Sequence, residues 1–384
     1  MDPDSIEITT VLDDFTHHRG EARKAAVRTA RTMIQHQAAE PNRLVTELAS
    51  QLQADDIYRR RGAAELLAAV AVDDASLVQS EVDQLSAALT DPITISYAEH
   101  ALAAIGRETP QKLVPAIESI ETVLESSAPD RQDAALHLLE YVVPVNSDVV
   151  ESHLVARLLS IAMTEPASDH TSQEVDQGER QRDYRRQKRA IGILAAIAET
   201  DPERFRDQLP TIAERFPHLS DSAQVGLLEM LIPIAESDPA AMSPLLELLG
   251  HSFRNEDDER ILVRAGWALS LSGEAYPNEV AAAIADNVEP AFTLLDGDLE
   301  ARAAGAALLS YVAEYQPELL GSRQNELREH LDDEHESVRT SILWALGALG
   351  ASEELFEEIA HTDESELVRN VATALLHGDA NVSS

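Results

Sequence analysis

Proline recurs along this chain at a nearly constant interval, and that interval restricts the folds available to it. The last four of the six recurrent prolines are 37, 38 and 40 residues apart. The residues are Pro41, Pro110, Pro202, Pro239, Pro277 and Pro317. Each follows an apolar stretch and a few polar residues, as in AAIAETDPERF. Because the first turn of a helix makes no intrahelical use of its N–H groups, proline is tolerated there. The spacing predicts helix pairs repeated along the chain.

Arginine provides a second marker, on the other helix of each pair. Each of these arginines precedes a stretch rich in small residues and leucine, as in SVRTSILWALGALG. The residues are Arg23, Arg60, Arg131, Arg185, Arg264, Arg302, Arg339 and Arg369. Most consecutive or doubled steps are close to the proline interval, and the 54-residue step from Arg131 to Arg185 is the exception. We expect each arginine to pair with an acidic turn residue of an adjacent unit, which would form a ladder along the array.

Together the two markers give bounds for the repeated units. Within each unit apolar residues follow the i, i+3, i+4, i+7 spacing of one helical face. The predicted helix pairs are 20–53, 56–90, 92–127, 129–165, 182–219, 221–252, 257–296, 298–332 and 335–360, followed by a single helix at 365–377. These units predict one solenoid domain over 20–377, with a polar loop insertion near 166–180. Residues 1–19 are expected to be a cap or flexible, and residues 378–384 a disordered tail.

The composition agrees with packed helices. Apolar residues make up 44% of the chain but aromatic residues only 4%, and a core of Ala, Leu, Ile and Val suits close helix–helix packing. Trp267 and Trp344 are 77 residues apart, or two periods. We therefore predict that the two tryptophans occupy related positions in the core.

Charge indicates the environment. The formal net charge is −39, and only three of the 30 basic residues are lysines, at positions 24, 112 and 188. Such a chain repels itself strongly, but molar salt shortens the Debye length to about 3 Å. Few lysines beside many carboxylates are typical of haloarchaeal proteins in a salt-rich cytoplasm. The first residues lack an apolar signal core and no apolar run reaches a membrane-spanning length, so a cytoplasmic location without membrane contact is expected.

The chain resembles the HEAT-repeat superfamily, including the shorter repeats of phycobilin lyases. The residues that carry the resemblance are the pairs Val263-Arg264, Val338-Arg339 and Val368-Arg369, acidic turns such as Asp332-Asp333-Glu334, and the Ala/Leu-rich stretch after each pair. The third unit departs from it, with Ile95-Ser96 where arginine is expected. The resemblance implies an all-α fold, a right-handed α-α superhelix of about nine helical hairpins and a terminal helix.

Recognisable catalytic patterns are missing from the sequence. It has no cysteine, no phosphate-binding glycine loop, no G-x-S-x-G elbow and no HExxH helix. Iron-dependent hydroxylases of the HEAT class carry several His-Glu pairs, whereas this chain has only His335-Glu336. We therefore expect no catalytic residue, no metal, no cofactor and no enzymatic activity. A lyase-like protein that handles a cofactor stays an alternative.

One segment reverses the local charge. Six of the ten residues at 180–189 are basic, directly after the predicted polar insertion. The candidate partner-binding residues there are Arg180, Arg182, Tyr184, Arg185, Arg186, Lys188 and Arg189, with a weaker cluster at Tyr58, Arg59 and Arg61. The segment is either a docking patch for an acidic partner or a phosphate backbone, or part of the arginine ladder.

These features predict a non-enzymatic scaffold or adaptor that binds another protein, in signalling, motility or complex assembly. Nucleic acid is a less favoured partner, because phosphate contacts need Lys or Arg and weaken with salt. The residues at 180–189 are nevertheless the place where a nucleic-acid binder would engage.

Overall fold

The computed structural model describes residues 25, 28–29, 41–147, 150–164, 177–255 and 258–377. All regular secondary structure in these ranges is helical, as predicted. The expected N-terminal cap at 1–19, the tail at 378–384 and most of the insertion near 166–180 lie outside the described residues. The last four positions of that insertion, 177–180, are helical.

The chain divides into two compact units. The N-terminal unit comprises Met1–Ala162 and Ser172–Ile197, and the C-terminal unit comprises Met163–Thr171 and Ala198–Ser384. The single solenoid domain predicted over 20–377 therefore stays a prediction.

Besides the helical residues at 25 and 28–29, the described part of the N-terminal unit contains eight helices, the last of which extends three residues past the unit's boundary. They are α1 (Pro41–Ser50), α2 (Ile57–Asp73), α3 (Val82–Ala88), α4 (Ile95–Glu108), α5 (Ile117–Leu124), α6 (Pro129–Val142), α7 (Ser152–Ala162) and α8 (Gln177–Thr200). The described part of the C-terminal unit adds eleven. They are α9 (Leu209–Arg215), α10 (Asp221–Ser237), α11 (Leu246–Asn255), α12 (Glu259–Ser272), α13 (Pro277–Ile284), α14 (Glu289–Leu294), α15 (Leu299–Tyr315), α16 (Gln324–Glu329), α17 (Glu336–Ala348), α18 (Glu353–Thr362) and α19 (Glu366–His377).

Each sequence repeat begins with a long helix, and this helix packs against the long helix of the next repeat. In the N-terminal unit α2 packs on α4 and α4 on α6. In the C-terminal unit α10, α12, α15, α17 and α19 pack in that order. The shorter helices pack against these longer ones, for example α5 on α6 and α11 on α12. Buried Ala and Leu residues fill the space between them, because small side chains permit close interaxial approach.

Most of the recurrent prolines do not open an α-helix directly. Pro110, Pro202 and Pro239 each begin a seven-residue 3₁₀ segment, and an α-helix follows it. Pro317 begins a three-residue 3₁₀ turn, whereas Pro277 starts α13 itself. Two of the long segments contain a second proline that cannot donate an N–H, which favours the tighter 3₁₀ form over a full α-turn.

The predicted arginine ladder is confirmed at the C-terminal end of the chain. Arg302 Nε lies 2.8 Å from Asp333 Oδ2. Arg339 makes two hydrogen bonds to the carboxylate of Asp363, at 2.9 and 2.8 Å. The backbone carbonyls of the same two aspartates accept from the next arginine, Asp333 from Arg339 at 2.6 Å and Asp363 from Arg369 at 2.7 Å. Each turn aspartate therefore ties two successive helices to one loop.

Arg264 and Arg185 are among the arginines of the series that do not follow this pattern. Arg264 pairs with Glu229 of α10, and Arg185 donates to the carbonyl of Gln181 in its own helix at 3.3 Å. The different partner of Arg264 follows from its position in the helix. Arg264 lies six residues after the N-cap Asp258, whereas Arg302 lies four residues after its N-cap Asp298. A shift of two residues turns the side chain by about 200° around the helix axis.

Trp267 and Trp344 occupy equivalent positions, but not in the core. Each lies nine residues after the N-cap of its helix, Asp258 in α12 and His335 in α17. Both indoles are only half-buried, while Ala268 and Ala345 beside them are fully buried. The prediction of core positions is wrong, because close packing of these helices leaves room for alanine and leucine on the buried side.

The packing around Tyr311 in the C-terminal unit can be tested by the pH dependence of stability. Burial, together with the nearby carboxylates of Glu274 and Glu314, raises the pKa of Tyr311 to about 12. Because the folded pKa lies above the ordinary value near 10, the stability it contributes is complete below about pH 10 and is lost as pH rises toward 12. We expect Tyr311→Phe to lose helical ellipticity less steeply between pH 10 and 12 than the native chain. Equal steepness in the two proteins would contradict the buried, protonated phenol.

Candidate interaction surface

The basic segment forms the exposed first half of α8. Residues 180–185 are exposed, and the first buried residue after them is Ala190. From there buried apolar side chains anchor the helix in the N-terminal unit; they are Ala190, Ile193, Leu194 and Ile197. The apolar second half of α8 thus anchors the helix in the N-terminal unit. In the charged first half, residues three or four apart lie on the same side of the helix.

One face of this half is used inside the molecule. Three arginines spaced i, i+4, i+7 point toward acidic residues of α6. The pairs are Arg182 Nη1–Asp130 Oδ1 at 3.9 Å, Arg186 Nε–Asp133 Oδ1 at 3.9 Å, and Arg189 Nε–Glu140 Oε2 at 3.5 Å. Burial raises the pKa of Asp133, and the cations of Arg186 and Arg189 oppose that shift. These three arginines therefore face acidic residues within the N-terminal unit.

The side of α8 opposite its buried residues is exposed, although Arg185 on this side still acts electrostatically on Asp133 of α6. It carries Tyr184, Arg185, Lys188 and Gly192, which we call the outer face of α8. All four residues are exposed, Tyr184 by 43%. The i, i+3, i+7 spacing of Arg185, Lys188 and Gly192 places them on one stripe. A Cβ built on Gly192 meets no atom within 4 Å. This stripe is an exposed part of the predicted site.

The second predicted cluster is at the start of α2. The Asp56 carboxylate caps this helix by accepting from the N–H groups of Tyr58 and Arg59, at 2.8 and 3.1 Å. Arg61 Nη2 donates to the hydroxyl of Tyr97 at 3.5 Å, and this hydrogen bond raises the pKa of Arg61. Since α4 and α6 come between α2 and α8 in the packing order, the two clusters are about 25–30 Å apart at ordinary interaxial distances. They do not form one site.

Sequence reasoning missed Gly192. A glycine in the middle of a helix lowers helix stability by up to about 1 kcal/mol relative to alanine. It was visible in the sequence as the only glycine between the basic segment and the next proline. Its exposure, however, depends on which side of α8 packs, and only the structure gives that.

The described residues offer no arrangement typical of a metal centre or a membrane protein. No three His, Asp or Glu side chains among them lie close enough together to hold a metal ion. Over the same ranges, no helix combines the length and apolar character that crossing a bilayer requires.

Comparison with known proteins informs the fold alone. No protein-family model and no curated protein sequence matches the chain. Among solved structures, an engineered protein is similar over 96% of this chain and 98% of its own, with 18% identity and a TM-score of 0.63. A structure from work on a conserved phosphorylation switch in the interaction between cadherin and beta-catenin is similar over 93% of this chain and 72% of that one, with 12% identity and a TM-score of 0.63.

Proposed function

We propose that this chain is a non-enzymatic scaffold that binds another protein through its stacked helices. The observation that carries the proposal is the outer face of α8, where exposed Arg185, Lys188 and Tyr184 interrupt a surface of opposite charge. Tyrosine and arginine are enriched at protein interfaces. One structural neighbour comes from work on the interaction between cadherin and beta-catenin, which supports a binding role for a fold of this kind.

The finer architecture and setting belong to the same proposal. We infer HEAT-like repeats in a right-handed α-α superhelix of about nine hairpins with a terminal helix. The repeated ladder of Arg302, Arg339 and Arg369 supports the repeat assignment. A salt-rich cytoplasm accounts for the net charge of −39. Signalling, motility or complex assembly are roles in which such an adaptor acts without a cofactor.

The experiment is affinity purification of the tagged chain from its native cells in multimolar salt, with and without nuclease. The expected result is one protein recovered in a stoichiometric amount, unaffected by nuclease, which re-forms the complex when both proteins are purified separately. Recovery that depends on nucleic acid, or no stoichiometric protein, would contradict the proposal. Elemental analysis and an absorbance spectrum of the same preparation test the cofactor-handling alternative.

A further inference from the structure

We propose that the outer face of α8 binds an acidic α-helix of a partner protein, which crosses α8 at Gly192. This inference rests on the proposed function and deepens it, since it gives the place of contact and the chemistry of the partner.

The outer face of α8 carries positive charge that a partner can neutralise. Three of the six basic residues at 180–189 face α6, as described above, where they approach Asp130, Asp133 and Glu140. Arg185 also acts electrostatically on Asp133, but neither Arg185 nor Lys188 forms a close ion pair with any residue that the structure describes, and both side chains are exposed. Two exposed cations one turn apart, in a chain with more than twice as many acidic as basic residues, are complementary to carboxylates supplied from outside.

Gly192 leaves a gap in the side chains along the outer face of α8. Several other glycines of the chain have a reason in the fold: a Cβ on Gly305 would lie 2.6 Å from the carbonyl oxygen of Ala291, and one on Gly266 would lie 2.8 Å from Leu294. Gly192 has no such neighbour and is exposed. A residue without a side chain at an exposed helix position allows another backbone to come close. It lies on the same stripe as the cations, one turn beyond Lys188.

The spacing of the cations on α8 favours a helix over nucleic acid as the partner. Carboxylates three or four residues apart on a helix are about 5–6 Å from each other, which matches the separation of Arg185 and Lys188 at i, i+3. A nucleic acid carries an unbroken line of phosphates, and its affinity depends on many basic contacts. Along α8 such a line would soon meet the acidic side of α6 and the surrounding negative field.

The test uses two fluorescein-labelled probes at the lowest salt in which circular dichroism shows the full chain folded. One probe is a 21-residue Ala/Glu helical peptide with glutamates on one face, and the other is a 20-nucleotide oligo-dT. We expect saturable anisotropy with the peptide, weakened at least 10-fold by the double variant Arg185→Glu/Lys188→Glu. The matched control is Arg107→Glu/Arg215→Glu, which makes the same change of charge at exposed positions on α4 and α9. It should bind as the native chain does.

The variant Gly192→Leu distinguishes a loss of partner contact from a loss of folding. Because its side chain enters open space and leucine favours a helix, the variant should be at least as stable as the native chain and yet bind the peptide at least 10-fold more weakly. Unchanged affinity in both variants, or tighter binding of oligo-dT than of the peptide, would overturn the inference. No saturable binding of the peptide would also overturn it, while a stoichiometric partner in the purification would leave the proposed function standing.

Discussion

Replacing Asp363 with alanine should destabilise the C-terminal unit by about 3 kcal/mol, because it leaves the guanidinium of Arg339 buried without its carboxylate. The side chains of Arg339 and Asp363 are only 6% and 11% exposed. Burial alone would raise the pKa of Asp363, but hydrogen bonds from Arg339 and from the N–H of Ser365 bring it below its ordinary value. The measurement is the urea midpoint of helical ellipticity in multimolar KCl.

Two comparisons make this result specific. Asp286 pairs with Arg254 at 3.0 Å but is 87% exposed, so Asp286→Ala should cost less than about 1 kcal/mol. The double variant Arg339→Met/Asp363→Leu should recover much of the loss, because replacing both members of a buried ion pair with apolar groups is often neutral. Equal effects of Asp363→Ala and Asp286→Ala would mean that the ladder adds nothing beyond a surface ion pair.

Gly305→Ala should destabilise the same unit by about 3 kcal/mol through overpacking. In α15 the new Cβ would lie 2.6 Å from the carbonyl oxygen of Ala291 and 2.9 Å from the Cβ of Leu294. The first of these is a backbone atom that cannot move without shifting α14. Urea unfolding of the purified variant gives the change directly.

Gly192→Ala is the opposite case at a second helix-interior glycine. Because its Cβ meets nothing within 4 Å, the substitution should raise stability by up to about 1 kcal/mol. A loss of stability in Gly192→Ala, or a neutral Gly305→Ala, would show that the helix packing described above is wrong at that position.

The repeat could be predicted from the sequence because its markers are local. Arginine four residues after an N-cap, as at Arg60 and Arg302, has a fixed position on its helix, and the partners Asp91 and Asp333 follow at the next turn. For the same reason the predicted bounds of a helix pair agree with the structure at 221–252, where α10 and α11 lie. Proline also marks helix starts, although it does not separate an α-turn from a 3₁₀ turn.

What the sequence could not give is which side of each helix is covered. Arg186 and Lys188 look alike in the sequence, yet one approaches Asp133 of α6 and the other is exposed on the outer face of α8. The core position predicted for Trp267 failed for the same reason, since neighbouring alanines take the buried side. Side-chain environment depends on contacts between helices distant in sequence, and periodicity alone does not fix their rotation.

The most direct test of the account compares what the native chain and Arg185→Glu/Lys188→Glu recover from native cells under identical conditions. The account predicts a stoichiometric protein with the native chain and with Arg107→Glu/Arg215→Glu, and its loss from Arg185→Glu/Lys188→Glu while that variant keeps its helical ellipticity. Recovery of the same protein in equal amount by all three chains would contradict the claim that the outer face of α8 is where this scaffold binds.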